Sequence, residues 1–287
     1  MAVQYVNSTL ELGTIGQMYN NGDGGWSSIV PTQNLVDTYE MADGLTKEES
    51  GSYDPNHPFA GRDPRMAMTI IYPGMDWNGT VVNTLDKTIN GKDNANYPPS
   101  ANNASKTALT WRKYLDEQYA NGIWNTNACP IVIRYAEVLL TYAEAVNELS
   151  GPSADVYDKL DLIRGRVGMP KVDREKYASK ETLRRLIRRE RGVELAGEGV
   201  RRADILRWKD DNGKMVAETV LNGVLERVVG TVNYAETDPT KRAEIDTNAP
   251  ATDKKIEDRV FKVHNRYNPI PQGAIDNNPN LEQNPGY

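Results

Sequence analysis

Two sets of residues in this 287-residue chain have the types and spacing to do chemistry. The first is a row of glutamates, Glu190, Glu194 and Glu198, which recur at every fourth position and share one face of a predicted helix. Like charges at this spacing repel unless cations neutralise them. The row could form a carboxylate cluster for catalysis or metal binding. We favour a structural network, because bidentate arginine–carboxylate pairs commonly hold helices together.

Arginines on neighbouring segments are the expected partners of these glutamates. The candidates are Arg134, Arg164, Arg166, Arg201 and Arg207. A second charged group, the RDPR motif at 62–65, places two guanidinium groups around an aspartate and a proline. It could bind an anion, but local hydrogen bonding within a proline turn is the preferred interpretation.

The second set consists of aromatic residues in loop contexts. The chain has 15 Tyr and 5 Trp but only 2 Phe, and a flat ring with a polar tip suits half-exposed positions. Such a ring can stack on a sugar, or it can pack its own loop against the protein. Trp26, which closes a loop rich in Gly and Asn, fits both interpretations, and Trp77 in GMDWNG is expected to be exposed.

The elements that must position these residues centre on Arg134–Trp208, which reads as four successive helices. The first is apolar around most of its circumference, so we expect it to be buried among other helices. Its predicted end is Gly151, and Ser153 or Asp155 should cap the second helix. Ser179 should cap the third.

The regions before and after these four helices contain patterns that predict shorter helices and strands. A helix is predicted from Thr32 and a short buried strand within MAMTIIYPG at 66–74. Beyond Trp208, alternation at 220–234 predicts a strand or hairpin, and RVFKVH at 259–264 predicts a short strand. Prolines and asparagines in 266–287 predict turns rather than a helix.

Composition excludes several classes of protein. A net charge of −6 argues against a nucleic-acid partner. One cysteine, Cys129, excludes an internal disulfide and a four-cysteine zinc site, and the two histidines are too isolated to indicate a His-rich metal site, so no metal or cofactor is expected. No apolar run reaches the roughly 18 residues of a membrane span, and the N-terminus does not read as a signal peptide. The protein is then either cytoplasmic or exported by a signal outside this chain. Dinucleotide, P-loop, zinc-protease and serine-hydrolase motifs are absent.

Several segments together resemble the SusD/RagB family of surface glycan-binding lipoproteins. They are PTQNLVDTYEMADG with RDPR, RYAEVLLTYAEAVNE, DLIRGRVG, RRERGVELAGEGVRRADILRW and the terminal NPIPQGAIDNNPNLEQNPGY. The resemblance implies a mainly α fold with tetratricopeptide-like helix pairs, long loops and a few short strands. It also implies non-catalytic oligosaccharide binding at the outer membrane, on the cell surface, in partnership with a SusC-like TonB-dependent transporter.

The resemblance further implies an organisation for the chain. Residues 1–129 would be a loop-rich ligand-facing part, 130–210 a helical scaffold and 211–287 a closing segment. The lipid anchor and the N-terminal half of the family fold have no counterpart in this sequence. The shared motifs look like scaffold, which makes Trp208 a core residue and leaves four candidates for ligand binding: Trp77, Trp26, Tyr53 and Trp124.

Two other functions remain open from the residues alone. A glycoside-processing enzyme would use two carboxylates, but no Asp or Glu stands in a recognisable acid–base setting. A helical-repeat scaffold would bind a protein and have no sugar site.

Overall fold

The computed structural model describes residues 1–2, 13–99, 102–117, 122–126 and 128–287. Helices dominate, and the strands are short and pair two by two, in agreement with the predicted mainly α fold. The helices are α1 Gln33–Thr38, α2 Pro64–Thr69, α3 Tyr135–Ser150, α4 Ala154–Gly165, α5 Lys180–Glu194, α6 Arg201–Arg207, α7 Ala217–Val220, α8 Ala251–Lys254 and α9 Gln272–Asn277.

The strands form two-stranded pairs rather than one sheet. They are β1 Ile70–Ile71, β2 Asp76–Trp77, β3 Thr80–Val81, β4 Thr88–Ile89, β5 Lys92–Asp93, β6 Thr110–Trp111, β7 Gly223–Glu226, β8 Gly230–Val232, β9 Ala243–Ile245 and β10 Lys255–Arg259. The pairs are β1 with β6, β2 with β3, β4 with β5, β8 with β9, and β7 with β10.

The chain divides into two compact units. The first comprises Met1–Gly199 and Glu226–Ile256, and the second comprises Val200–Leu225 and Glu257–Tyr287. In the first unit, a core of buried residues includes Tyr39, Ile70 and Leu109. In the second unit, Trp208 is 4% exposed, as predicted for a core residue, and the guanidinium groups of Arg201 and Arg207 lie over its ring.

Three predicted helix boundaries of the scaffold are confirmed, but the third helix, α5, ends at Glu194, so Glu198 lies beyond the helix that was predicted to carry it. Ser153 caps α4 by accepting a hydrogen bond from the backbone N–H of Val156. Ser179 and Thr182 form a reciprocal capping box at the start of α5. Gly151, with φ of 80°, ends α3 in a conformation that favours glycine. These caps were readable because they depend only on residues adjacent in sequence.

The sequence predicted that α3 is buried among other helices around most of its circumference, and this prediction is wrong. Leu139, Leu140 and Ala143 are buried where α3 packs against α4 and α5. The opposite stripe is exposed: Tyr135 is 71% and Leu149 is 85% exposed. Two helices cover only one side of a third, so an apolar circumference alone does not determine burial.

Two predictions beyond Trp208 also need correction. The 220–234 region contains β7 and β8 as predicted, but they do not form a hairpin with each other. The strand expected at 259–264 lies earlier, at Lys255–Arg259, and the terminal segment contains the short helix α9. β7 instead pairs with β10, which is distant in sequence, and local alternation cannot show such a pairing.

Two predictions in the first half were partly right. The helix from Thr32 forms but ends at Thr38, and Thr32 makes no side-chain cap. In the 66–74 segment, only Ile70 and Ile71 form the buried strand, which follows directly on α2.

None of the helices in the described ranges combines the length and the apolar character that a membrane-spanning helix requires.

Candidate functional site

The glutamate row lies inside the first unit as a buried ion-pair network. The side chains of Glu190, Glu194 and Glu198 are 1–3% exposed. Glu194 accepts from Arg134 Nη1 at 2.6 Å, from Arg166 Nη2 at 2.8 Å and from Arg65 Nη1 at 3.0 Å. The predicted structural network is therefore confirmed.

Three of the five predicted donors belong to this network: Arg134, Arg164 and Arg166. The other two lie in the second unit, where Arg207 pairs with Asp204 at 2.7 Å and Arg201 stacks on Trp208. Sequence reasoning missed Lys113, which contacts Glu198, and Arg189, which pairs with Glu40 at 2.9 Å.

The RDPR motif does more than the local role expected of it. Arg65 binds Asp63 at 2.6 Å, as predicted, and also reaches Glu190 and Glu194 on α5. Arg62 donates to the backbone carbonyls of Val36 and Tyr39. The motif thus fastens the first-half loops to the helical scaffold through groups that are distant in sequence.

Electrostatics agree with a structural role for this network. Burial alone would raise the pKa of Glu194, but hydrogen bonds from Arg134 and Arg65 outweigh it and lower the pKa below its usual value. A proton donor or a poised base near neutral pH would need a raised pKa. Glu194 is instead held ionised and out of reach of a polymeric substrate.

A different site forms where two of the predicted aromatic residues meet. The ring centroids of Trp26 and Trp124 are 4.6 Å apart, and the ring planes are inclined by 57°. Trp26 is 50% exposed and Trp124 is half-buried. The two rings together present an accessible apolar corner, which suits a ligand with apolar faces.

Backbone hydrogen bonds fix the conformation of the loop that carries Trp26. Trp26 N–H donates to Gly16 O at 3.3 Å, Ser28 N–H to Gln17 O at 2.8 Å and Ser27 N–H to Tyr19 O at 3.0 Å. Gly16 also permits the close approach of Trp124, since a Cβ at this position would lie 2.3 Å from the indole ring. Hydrogen bonds therefore fix the backbone of the Trp26 side of the aromatic corner.

Asp23 lies beside the aromatic corner on a short 3₁₀ turn, Asn21–Asp23. Its carboxylate accepts from Trp77 Nε1 at 2.8 Å, from Asn20 Nδ2 at 2.7 Å and, weakly, from Asn78 Nδ2 at 3.4 Å. Partial burial raises the pKa of Asp23 above its usual value, although these hydrogen bonds act in the opposite direction.

Trp77 is placed differently from the sequence expectation of an exposed ring. It is 3% exposed, so its predicted exposure is wrong. Asn78 and Gly79, with φ of 48° and 70°, form the two-residue turn between β2 and β3, and Trp77 lies on the strand before that turn. Its ring packs into the core and its indole N–H holds Asp23.

A cavity of about 450 Å³ opens at this place. Its lining residues are Gly22, Asp23, Gly24, Gly122, Ile123, Trp124 and Asn125. The Tyr19 hydroxyl donates to Asp116 O at 2.9 Å and accepts from Asp116 N–H at 3.0 Å, which joins the segment before the Asp23 turn to the backbone of Asp116. The volume suits part of a small ligand or one or two units of a polymer.

Tyr53 lies apart from the contacts of this corner. Its half-buried ring faces Arg62, at 5.6 Å from the guanidinium carbon, and Lys47, at 6.0 Å from the ammonium nitrogen. Three of the four candidates, Trp26, Trp124 and Trp77, are thus connected around Asp23. Asp23 was missed; its position in NNGDGGW, three residues before a loop tryptophan, was the available signal.

Among the described residues, no three His, Cys, Asp or Glu side chains are grouped so that they could hold a metal ion.

Comparison with known proteins identifies relatives over nearly the whole chain. The family described as the SusD family matches residues 4–287. SusD-like protein P25 of Formosa agariphila is 29% identical over 214 residues, which are 71% of this chain and 37% of that protein.

Two solved structures share the fold. A SusD-like carbohydrate binding protein from Bacteroides fragilis is 31% identical, with a TM-score of 0.77, over 98% of this chain and 54% of that one. A second SusD-like protein from the same organism is 25% identical, with a TM-score of 0.71, over 100% of this chain and 53% of that one. The chain therefore spans about half the length of these solved relatives.

Proposed function

The chain belongs to the SusD family, and from this premise we propose that it binds an oligosaccharide or polysaccharide without transforming it. The observation that carries the proposal is the corner of Trp26 and Trp124 beside the Asp23 cavity. A solved relative that is 31% identical to this chain is described as a carbohydrate binding protein.

The corner has the two kinds of group that sugar recognition needs. The C–H faces of a sugar ring can stack on the exposed indole surface of Trp26 and Trp124. A sugar hydroxyl can donate to Asp23 Oδ1, whose contact with Asn78 is long at 3.4 Å. We place the ligand here, with Trp77 supporting Asp23 from the core, and treat Tyr53 as a separate and weaker candidate.

Binding without catalysis is supported by the state of the carboxylates. The glutamate row is buried and paired with arginines, so it cannot flank a glycosidic bond. Asp23 lines the cavity as a carboxylate held by an indole and two amides, and no second acid is among the described residues that line it. Incubation with polysaccharides should release no reducing ends.

The finer proposal concerns location and partner. The family resemblance supports a role at the cell surface of the outer membrane, with the glycan passed to a SusC-like TonB-dependent transporter. It also supports the division into a ligand-facing part at 1–129, a scaffold at 130–210 and a closing segment at 211–287. Recovery of a transporter with the tagged protein from detergent-solubilised outer membranes would test the partnership.

The test of the central proposal is titration calorimetry with a panel of oligosaccharides. Trp26→Ala and Trp124→Ala should each weaken binding by about fivefold or more, since truncating an aromatic anchor commonly costs more than about 1 kcal/mol. Tyr53→Ala should bind as the wild type does.

Tyr135→Ala is the matched control, because Tyr135 is also an exposed aromatic residue but lies on α3. Wild-type affinity in both tryptophan variants would exclude this corner as the binding site. A loss confined to Tyr53→Ala would move the site to the surface near Arg62.

A further inference from the structure

Charge is distributed unevenly around the proposed binding site. The described residues that line the cavity are Gly22, Asp23, Gly24, Gly122, Ile123, Trp124 and Asn125, and Asp23 is the only charged residue among them.

Cations in neighbouring segments are not paired with Asp23. Lys87 is exposed to solvent. Lys113 contacts Glu198 and donates to Ala196 O at 2.9 Å. Arg242 pairs with Asp76 at 2.7 Å and donates to Gly74 O.

Asp23 keeps its negative charge uncompensated at the cavity wall. Its donors, Trp77, Asn20 and Asn78, are all neutral, and it takes part in none of the ion pairs among the described residues. Glu117 adds a second negative charge nearby, since it accepts from the backbone N–H of Asn78 at 3.1 Å. Partial burial weakens the solvent screening of Asp23.

We propose that this cavity selects uncharged glycans and discriminates against chains that carry uronate or sulfate groups. A neutral hydroxyl donates to the Asp23 carboxylate, whereas an anionic group in the same position is repelled and must also lose its hydration. The inference rests on the proposed glycan-binding function and adds the charge class of the ligand.

The experiment compares matched ligands that differ only in charge. Neutral glucan and xylan oligosaccharides are titrated beside glucan oligosaccharides oxidised at C6 to uronates and sulfated xylan oligosaccharides of equal length. The wild type should bind the neutral member of each pair at least about tenfold more tightly, the scale of one like-charge repulsion at a partly buried site.

Three variants test which residues cause the preference for neutral over charged ligands. Asp23→Asn removes the charge with little change of shape and should reduce the preference several-fold, and Glu117→Gln, at an exposed residue, should reduce it by less. Glu175→Gln makes the same change of net charge on the segment between α4 and α5 and should leave the preference unchanged. Circular dichroism confirms that each variant is folded.

Three results would overturn the inference. Equal or tighter binding of the charged ligands would contradict it while leaving glycan binding intact. A neutral preference that survives Asp23→Asn and Glu117→Gln unchanged would mean that the charge selection has another source. Failure of every neutral and charged ligand to bind would contradict the proposed function itself, and the inference with it.

Discussion

Single carboxylates in this molecule differ in whether a cation neutralises them. Glu194 lies among Arg65, Arg134 and Arg166, whereas Asp23 is held only by neutral donors. The first arrangement binds segments of the chain to each other, and the second leaves a charge available to a ligand. Sequence spacing revealed the glutamate row but not Arg65, whose partner Glu190 lies 125 residues away.

Glu194→Gln should destabilise the protein by about 3 kcal/mol at neutral pH, because removing one member of a buried ion-pair network leaves its partners uncompensated. Urea unfolding measures the change. The exposed pair of Lys159 with Asp155 provides the control, since Lys159→Met should leave the unfolding midpoint nearly unchanged.

The cost of Glu194→Gln should also depend on pH. The pKa of Glu194 is lower in the folded protein than in the unfolded chain, so ionised Glu194 stabilises the fold above its unfolded pKa. That contribution is lost as the pH falls through the folded pKa. In acid, the free energy of unfolding of the wild type should therefore approach that of Glu194→Gln. If the free energies of unfolding of the wild type and Glu194→Gln differ by the same amount at pH about 7 and about 3, ionised Glu194 does not stabilise the fold as described.

At the scale of elements, local signals predicted what depends on neighbouring residues. The caps of α4 and α5 and the glycine end of α3 were all readable from the sequence. The pairing of β7 with β10 and the exposed stripe of α3 were not, because they depend on which distant element packs there. The same limit hid the contact of Trp26 with Trp124, which were recognised singly.

Gly16→Ala tests how the elements of the aromatic corner fit together. A Cβ at Gly16 would lie 2.3–2.6 Å from atoms of the Trp124 ring, so the ring must move. We expect glycan affinity to fall several-fold and the tryptophan fluorescence to change. Gly51→Ala is the control, since nothing lies within 4 Å of its Cβ position and it should bind normally. Normal binding by Gly16→Ala would show that the position of Trp124 is not critical.

At the scale of the whole molecule, the chain combines a helical scaffold with loops that form the proposed ligand site. The scaffold motifs made the family recognisable from the sequence, and the family matches residues 4–287. The same motifs carry no information about the ligand, because their charged groups are used within the fold. The chain spans 54% of the length of one solved relative, so the activity of a whole family protein is proposed for it rather than transferred.

The most direct measurement is a crystal structure of the chain with a bound neutral oligosaccharide. We predict a sugar ring in contact with the indole rings of Trp26 and Trp124, and a hydroxyl within hydrogen-bonding distance of Asp23. A sugar bound elsewhere on the protein, with both indole rings uncovered, would contradict the proposed site.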